Sequence, residues 1–225
     1  MAYAVYGAGG FAREVAPLLR RIWSESEAPR PTATEGEADI VFVDDSRDRK
    51  QVVNGYNVIS FDDLKSERHR HRKVIAGIGS GEVRATLEAK CEVAGLVIAT
   101  AVAPTAIVLD EVFLGPGTVI CDQVILTSNI IIGRSFQANL NSYIGHDCII
   151  GDYVTFAPRV NCNGNVHIGD HVYVGTGASI IQGSADEPLT IGDRAIIGMG
   201  AVVTKPVPPK TLVAGNPARV VRTLD

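Results

Sequence analysis

A histidine followed by an aspartate, His146-Asp147, sits in NSYIGHDCIIGDYVTFAP (141–158), where a repeating pattern calls only for small polar residues. In the hexad Ile144-Gly145-His146-Asp147-Cys148-Ile149 the histidine holds the third place, a turn position facing outward. Three hexads later that place is taken by Gly164, and three hexads earlier by Ser128. If three hexads close one coil, an imidazole lies beneath a peptide without a side chain. Glycine lets a ligand reach the main chain and leaves an N–H open for use. An imidazole base beside a backbone donor is the minimum equipment for acyl transfer. One takes the nucleophile's proton and the other meets the developing oxyanion. Asp147 could hold the ring in one tautomer, but neighbouring side chains on a strand diverge, so contact needs turn geometry. The competing reading is a solvent-exposed turn histidine beside a turn glycine, with Asp147 an ordinary turn acid like Asp122, Asp152, Asp170 and Asp193.

His167 and His171 raise a second chemistry, since some left-handed β-helix enzymes bind zinc through three histidines. One coil below them lie Ile149 and Tyr153, not His146. The three rings belong to different places around the coil, and no metal is expected. His69 and His71 fall in ERHRHRK (67–73), a short basic run that reads as solvated.

The frame that positions His146 is the repeat itself. Every sixth residue from Val102 to Ile180 is apolar, through Leu114, Leu126, Ile144, Phe156 and Ile168, among others. Glycine recurs one place later, at 115, 133, 145, 151, 169 and 175, and mostly small or β-branched residues recur four places on. This is the signature of a parallel β-helix, in which stacked coils form an apolar column instead of a conventional core. Cys121, Cys148 and Cys162 stand in for small repeat residues. The phase slips once, at IIQGSADEPLTIGD, so 185–189 reads as an excursion from one corner. The closing KPVPPKTLVAGNPARVVRTLD leaves the repeat and reads as an extended segment and cap.

Before the repeats the grammar is different. AYAVY is a short buried strand, GAGG a turn, and FAREVAPLLRRIW an amphipathic helix. The segment 24–38 is polar and Pro-, Ser- and Glu-rich, a loop. DIVFVDDS (39–46) and KVIAGIGS (73–80) are further buried strands. Residues 51–60 suggest a short hairpin or an extended piece, FDDLKS a capped turn of helix, and EVRATLEAKCEVAG a second helix. Strand–helix–strand alternation predicts a small parallel α/β sheet. The turn carries Gly7, Gly9 and Gly10, but Ala12 replaces the third glycine of a dinucleotide fingerprint. A chain of 225 residues with net charge −4 carries no electrostatic footprint for nucleic acid. No apolar run reaches the ~18 residues of a membrane span, and the opening residues do not read as a secretory leader. Four cysteines without CxxC spacing read as reduced thiols of a cytoplasmic protein.

GAGGFAREV, FVDDS, the hexads with IGHDCIIGDYV, and VAGNPAR near the end together resemble the bacterial sugar O- and N-acyltransferases. This is the sialic-acid-O-acetyltransferase-like family, with members acting on nucleotide-linked amino-sugars such as UDP-bacillosamine precursors and GDP-perosamine. The resemblance spans almost the whole chain. It implies a half-Rossmann-like α/β domain over 1–96, binding a nucleotide sugar, and a left-handed parallel β-helix with a cap over 97–225. His146 would be the base, Asp147 its partner, and the Gly164 amide would meet the acetyl carbonyl of acetyl-CoA. Some relatives carry a second histidine nine residues beyond the first; Thr155 stands there instead. Thr155, Gly164, Thr176 and Arg219 are the candidates for binding acetyl-CoA, with Lys205 beside Arg219 for its phosphates. Gly9 and Gly10 would face the nucleotide, Asp44 and Asp45 its ribose or base, and Gly79 and Ser80 the opposite wall. Related proteins pack β-helices around threefold axes, so the resemblance also implies a homotrimer with active sites between subunits. The expected reaction is transfer of acetyl from acetyl-CoA to the amine of a nucleotide-linked amino-deoxy-sugar, without an acyl-enzyme. O-acetylation of a sugar such as sialic acid is the rival enzyme reading, and a non-catalytic scaffold trimer the rival from another class.

Overall fold

The computed structural model describes residues 2–25, 40–46 and 51–225. The chain divides into two compact units, Met1–Gly79 with Val83–Pro104, and Ser80–Glu82 with Thr105–Asp225.

The first unit carries β1 (Tyr3–Tyr6), α1 (Gly10–Glu25), β2 (Ile40–Val43), β3 (Val52–Val53), β4 (Tyr56–Ile59), α2 (Phe61–Leu64), β5 (Lys73–Ala76) and most of α3 (Gly81–Val93). The sheet runs β3-β4-β2-β1-β5. β1 pairs in parallel with both β2 and β5, and β2 with β4, whereas β3 and β4 run antiparallel. YAVY and IVFV are buried along their whole length, as unbroken apolar runs must be when both faces of a sheet are covered. The β3–β4 turn is Asn54-Gly55, both at positive φ (50° and 82°), as a tight hairpin requires. Ser60 and Asp63 cap α2 reciprocally: Ser60 Oγ accepts from Asp63 N, and Asp63 Oδ2 from Ser60 N, both at 3.1 Å. α1 runs on through Glu25, two residues into the segment expected as a loop; residues 26–38 of that segment lie outside the described residues.

Ala12, in place of the fingerprint's third glycine, is fully buried against the residue after β5, Gly77. A Cβ at Gly77 would lie 2.8 Å from Ala12 Cα, Ala12 Cβ and Val5 Cγ1. The close helix–strand approach thus has its glycine on the strand side of the contact.

The second unit is a left-handed parallel β-helix of three sheets. One face stacks Ile107–Val108, Ile125–Leu126, Tyr143–Ile144, Asn161–Cys162, Ser179–Ile180 and Val202–Val203. The next stacks Val112–Leu114, Ile130–Ile132, Ile149–Ile150, Val166–Ile168 and Leu189–Ile191. The third includes Val119–Ile120, Gln137–Ala138, Thr155–Phe156, Tyr173–Val174 and Ile196–Ile197. It ends with Thr211–Ala214 and the antiparallel Arg219–Thr223, the cap expected from sequence. The apolar column is buried at Ile120, Leu126, Ile132, Ile144, Phe156 and Ile180, and resumes at Ile191 and Ile197. Val108, in the first coil, is 39% exposed, as befits the end of a stack. At the corners the backbone passes through the left-handed region every sixth residue, for example at Asn129, Asn141, Asp147, Tyr153 and Asn165.

The excursion is displaced by one residue from its expected bounds. Leu189 is buried and pairs with Val166, so it already belongs to the strand. The loop instead centres on Ser184–Glu187, closed by Ser184 N to Glu187 O and Glu187 N to Ser184 Oγ, both 3.0 Å. An apolar residue at the end of the insert was counted as loop because phase alone does not show which five residues bulge. Among the described residues, no helix is long and apolar enough to cross a membrane.

Gly77→Ala should destabilise the first unit by about 1–3 kcal/mol through overpacking. The urea midpoint followed by the fluorescence of Trp23, the chain's single tryptophan and part of α1, should fall. An unchanged midpoint would mean that α1 is not seated this closely on the sheet.

Candidate active site

His146 lies at the corner between Tyr143–Ile144 and Ile149–Ile150. Its backbone is pinned to the coil above, where Asn165 N donates to His146 O at 2.9 Å, and Asp147 N donates to Ser128 O below at 3.1 Å. Asp147 is the left-handed corner residue, φ 57°. That turn supplies what an extended strand cannot: it brings the side chains of two consecutive residues together, with Asp147 Oδ2 2.7 Å from His146 Nδ1. An ionised carboxylate only accepts, so Nδ1 carries the proton and Nε2 presents a lone pair. The other carboxylate oxygen, Asp147 Oδ1, accepts from Asn129 Nδ2 at 3.2 Å. The His146 bond holds the Asp147 carboxyl below the usual aspartate range; slight desolvation works against it, and the Asn129 bond adds to it. Asn129 occupies the same corner place one coil earlier. Spacing contained it, but nothing about a turn asparagine in the repeat marked it as a partner.

Gly164 stacks on the ring. A Cβ there would lie 2.7 Å from both Cε1 and Nε2 of His146, so any side chain at 164 displaces the imidazole. Neither the His146 nor the Gly164 N–H donates to an acceptor among the described residues. The third-place amides of another corner are different. There Arg134 N, Asp152 N and Asp170 N donate to Asp152, Asp170 and Asp193 Oδ1, each one coil above, at 2.8, 2.8 and 3.0 Å. An aspartate in the third place closes the amide beneath it, and glycine leaves it open. The corner therefore presents a free imidazole nitrogen beside an unclaimed N–H, and the imidazole side chain is 58% exposed in the single chain.

The other sequence candidates are distributed more widely. Thr155 lies on the third face with only 5% exposure, and Thr176 is exposed at the corner that follows the third face; the coil brings neither to the His146 corner. Arg219 and Lys205 line a pocket of about 260 Å³ with Pro206, Pro208 and Val220 at the cap. His167 and His171 sit on a strand and at a different corner from His146, and among the described residues no three His, Cys, Asp or Glu gather in a metal-holding group.

In the first unit, Gly9 and Gly10 are exposed at the start of α1, with open space where side chains would project. Asp44 Oδ1 accepts from Ser46 N at 3.0 Å and Ser46 Oγ at 2.6 Å. Asp45 is more fully engaged: Oδ1 takes Phe61 N at 2.7 Å, and Oδ2 takes Tyr6 OH and Lys90 Nζ, both at 3.2 Å. Burial would push its carboxyl up, but the Phe61 N–H and Lys90 outweigh this and hold it below the usual range. Lys90 also stands 3.9 Å over the Phe61 ring. The Gly79 carbonyl and that of Ile78 accept from Arg84 Nη1 at 3.1 and 3.0 Å, and Arg84 is fully buried. Ser80 follows directly, ahead of α3. Tyr6, Arg84 and Lys90 were missed from sequence, since each lies on an element read only for its apolar pattern.

Residues 3–90 match the PglD N-terminal domain family. Over 217 residues the chain is 40% identical to GDP-perosamine N-acetyltransferase of Escherichia coli O157:H7, covering 96% of this chain and 95% of that one. WeeI from Acinetobacter baumannii AYE matches with a TM-score of 0.90 at 46% identity, over 98% of this chain and 100% of that chain. PerB from Caulobacter crescentus, in complex with CoA and GDP-perosamine, matches with a TM-score of 0.84 at 26% identity, over 99% and 98%. The chain belongs to the family of sugar N-acetyltransferases that includes GDP-perosamine N-acetyltransferase.

Proposed function

We propose that this protein transfers the acetyl group of acetyl-CoA to the amine of a nucleotide-linked amino-deoxy-sugar, with His146 as general base. One observation carries the reading: the imidazole, fixed by Asp147 through Nδ1, rests its Nε2 against a glycine whose N–H is unclaimed. The neutral amine attacks the thioester carbonyl, forming the C–N bond. His146 Nε2 removes a proton from that nitrogen, and the Gly164 N–H donates to the oxyanion. Collapse breaks the C–S bond, and the imidazolium returns its proton to the departing thiolate. No acyl-enzyme is needed, because the ring is bonded to a carboxylate and not to a serine or cysteine.

The nucleotide is assigned to the first unit. Gly9 and Gly10 at the N-terminus of α1 offer backbone N–H groups to phosphate, and Gly79 and Ser80 are the further candidates for the nucleotide. Asp44 and Asp45 are the ribose or base contacts, Asp45 being held by Phe61, Tyr6 and Lys90. Arg219 and Lys205 at the cap pocket suit the phosphates of CoA. Thr155 and Thr176, away from the His146 corner, would touch CoA only along the length of the coil. GDP-perosamine and CoA, held together by PerB, support the pairing of substrates.

The protein is assigned as a trimer with active sites between subunits. Phe113, Ile131 and Ile149 pair across adjacent strands into an outward apolar stripe, 63%, 54% and 45% exposed. A pocket of about 500 Å³ along it is lined by Glu111, Val112, Phe113, Asn129 and Ile131, so the stripe adjoins the His146 corner through Asn129. A second copy covering it would remove that apolar surface from water. Four free, buried cysteines suit the reducing cytoplasm.

Thiol release measured across UDP-, GDP- and dTDP-linked amino-sugars should find an amine acceptor. His146→Ala should lower kcat by roughly 10²–10⁴ with little change in either KM. Reaction with hydroxyl acceptors alone would overturn N-acetylation, and an active His146→Ala would overturn the base. Asn129→Ala should raise the Asp147 titration midpoint toward the ordinary aspartate value, followed by side-chain carboxyl ¹³C shifts. Because the folded carboxyl titrates below its unfolded value, its stabilisation is complete above the unfolded pKa and is lost as pH falls through the folded one. Ile131→Glu should convert trimer to monomer in sedimentation velocity; a trimer that persists would place the interface elsewhere.

A further inference from the structure

At three corners the carbonyl of the second residue of a hexad accepts a hydrogen bond from a side chain in the fifth place of a hexad. Thr118 Oγ1 donates to Gly115 O at 2.8 Å, and Ser142 Oγ to Ala157 O at 3.2 Å. At the His146 corner the donor is a thiol: Cys148 Sγ lies 3.2 Å from Asn163 O, with Cys162 Sγ more distant at 3.8 Å. Cys148 is fully buried. The carbonyl of Asn163 and the N–H of Gly164 belong to one peptide group. In a trans peptide the two point in opposite directions, and among the described residues the cis bond lies elsewhere, at Asn216-Pro217. Holding the carbonyl inward therefore holds the N–H outward, on the side where the imidazole lies.

We propose that Cys148 is a positioning residue for acetyl transfer: its buried thiol fixes the Asn163–Gly164 peptide so that the Gly164 N–H is aimed at the developing oxyanion. This rests on the reading of Gly164 given above. The thiol touches no substrate and forms no bond; it acts by limiting rotation of one peptide plane. Thr118 and Ser142 hold the corresponding carbonyls at the other two corners, in Gly115–Pro116 and Ala157–Pro158 peptides that have no N–H to aim, so they separate a purely architectural role from a catalytic one.

The test measures steady-state acetyl transfer and thermal stability on the full chain. Cys148→Ala should lower kcat roughly tenfold with KM for both substrates unchanged, a fraction of the 10²–10³ that follows outright loss of an oxyanion donor. Cys148→Ser, which keeps a donor, should restore kcat to within about twofold of the parent. Ser142→Ala and Thr118→Val should lose stability to a similar degree and keep the parent kcat. If Cys148→Ala does not fold, Cys148→Val, with the volume but no donor, gives the same comparison. Parent-like kcat without the donor, a loss confined to KM, no recovery in Cys148→Ser, or equal losses in Ser142→Ala would each overturn the proposal. Should His146→Ala itself turn over normally, it is the reading of the site that fails, whatever the cysteine variants do.

Discussion

Each coil of the second unit must lie in register on the next, so a residue's closest neighbours are those three hexads away. Tyr143 faces Asn161 above and Ile125 below, and Ile144 faces Cys162 and Leu126. Under that constraint a bulky corner side chain is admissible only where the residue above leaves room for it. His146 fits because Gly164 has no Cβ to meet its ring. The glycine serves sterically first, and the open N–H follows from the same absence of a side chain. The proposed base and donor are thus two consequences of one small residue stacked on one large one.

Left-handed corners carry a cost. A non-glycine residue at positive φ gives up about 1–2 kcal/mol relative to the right-handed form, and asparagine and aspartate bear it best. Here the corner column reads Glu111, Asn129, Asp147 and Asn165, all near φ 57°. The conformation that costs energy also bends Asp147 back onto the ring that precedes it, and places Asn129 beneath to hold the far carboxylate oxygen. Strain demanded by the coil is reused to orient the imidazole.

Much of this was legible in the residues themselves. The apolar column, a hairpin within 51–60, a capped turn at FDDLKS and the stacking of Gly164 on His146 follow from periods and turn chemistry, which are local or repeat at a fixed interval. What escaped depends on geometry that spacing does not encode. The His146–Asp147 contact needed the sign of one φ. The bulge lost Leu189 to the strand because the phase identifies an insertion's length and not its edges. Asp45 is expected from sequence only as a ribose or base contact, yet Tyr6, Phe61 and Lys90 converge on it from three other elements. Cys148 looked like a small apolar filler, which it is, and its hydrogen bond became visible only once the Asn163 carbonyl was seen to face it.

The comparison of corners shows how one scaffold yields both inert and reactive edges. Where the third place is aspartate, its carboxylate closes the amide below, and Asp152, Asp170 and Asp193 form a self-satisfied ladder. Where it is histidine under glycine, as at the His146 corner, no such ladder forms and two amides are left without an acceptor among the described residues. Such donors need no rearrangement when charge develops, because the coil has already fixed their direction. A site built this way has little capacity to select an acceptor, having one ring and main-chain groups to offer. On the proposed reading, selection falls to the first unit, where Gly9, Gly10 and Asp44 present the varied polar groups that the corner lacks. On that same reading the coil supplies a fixed transfer chemistry, and acceptor choice is left to the sheet at the start of the chain.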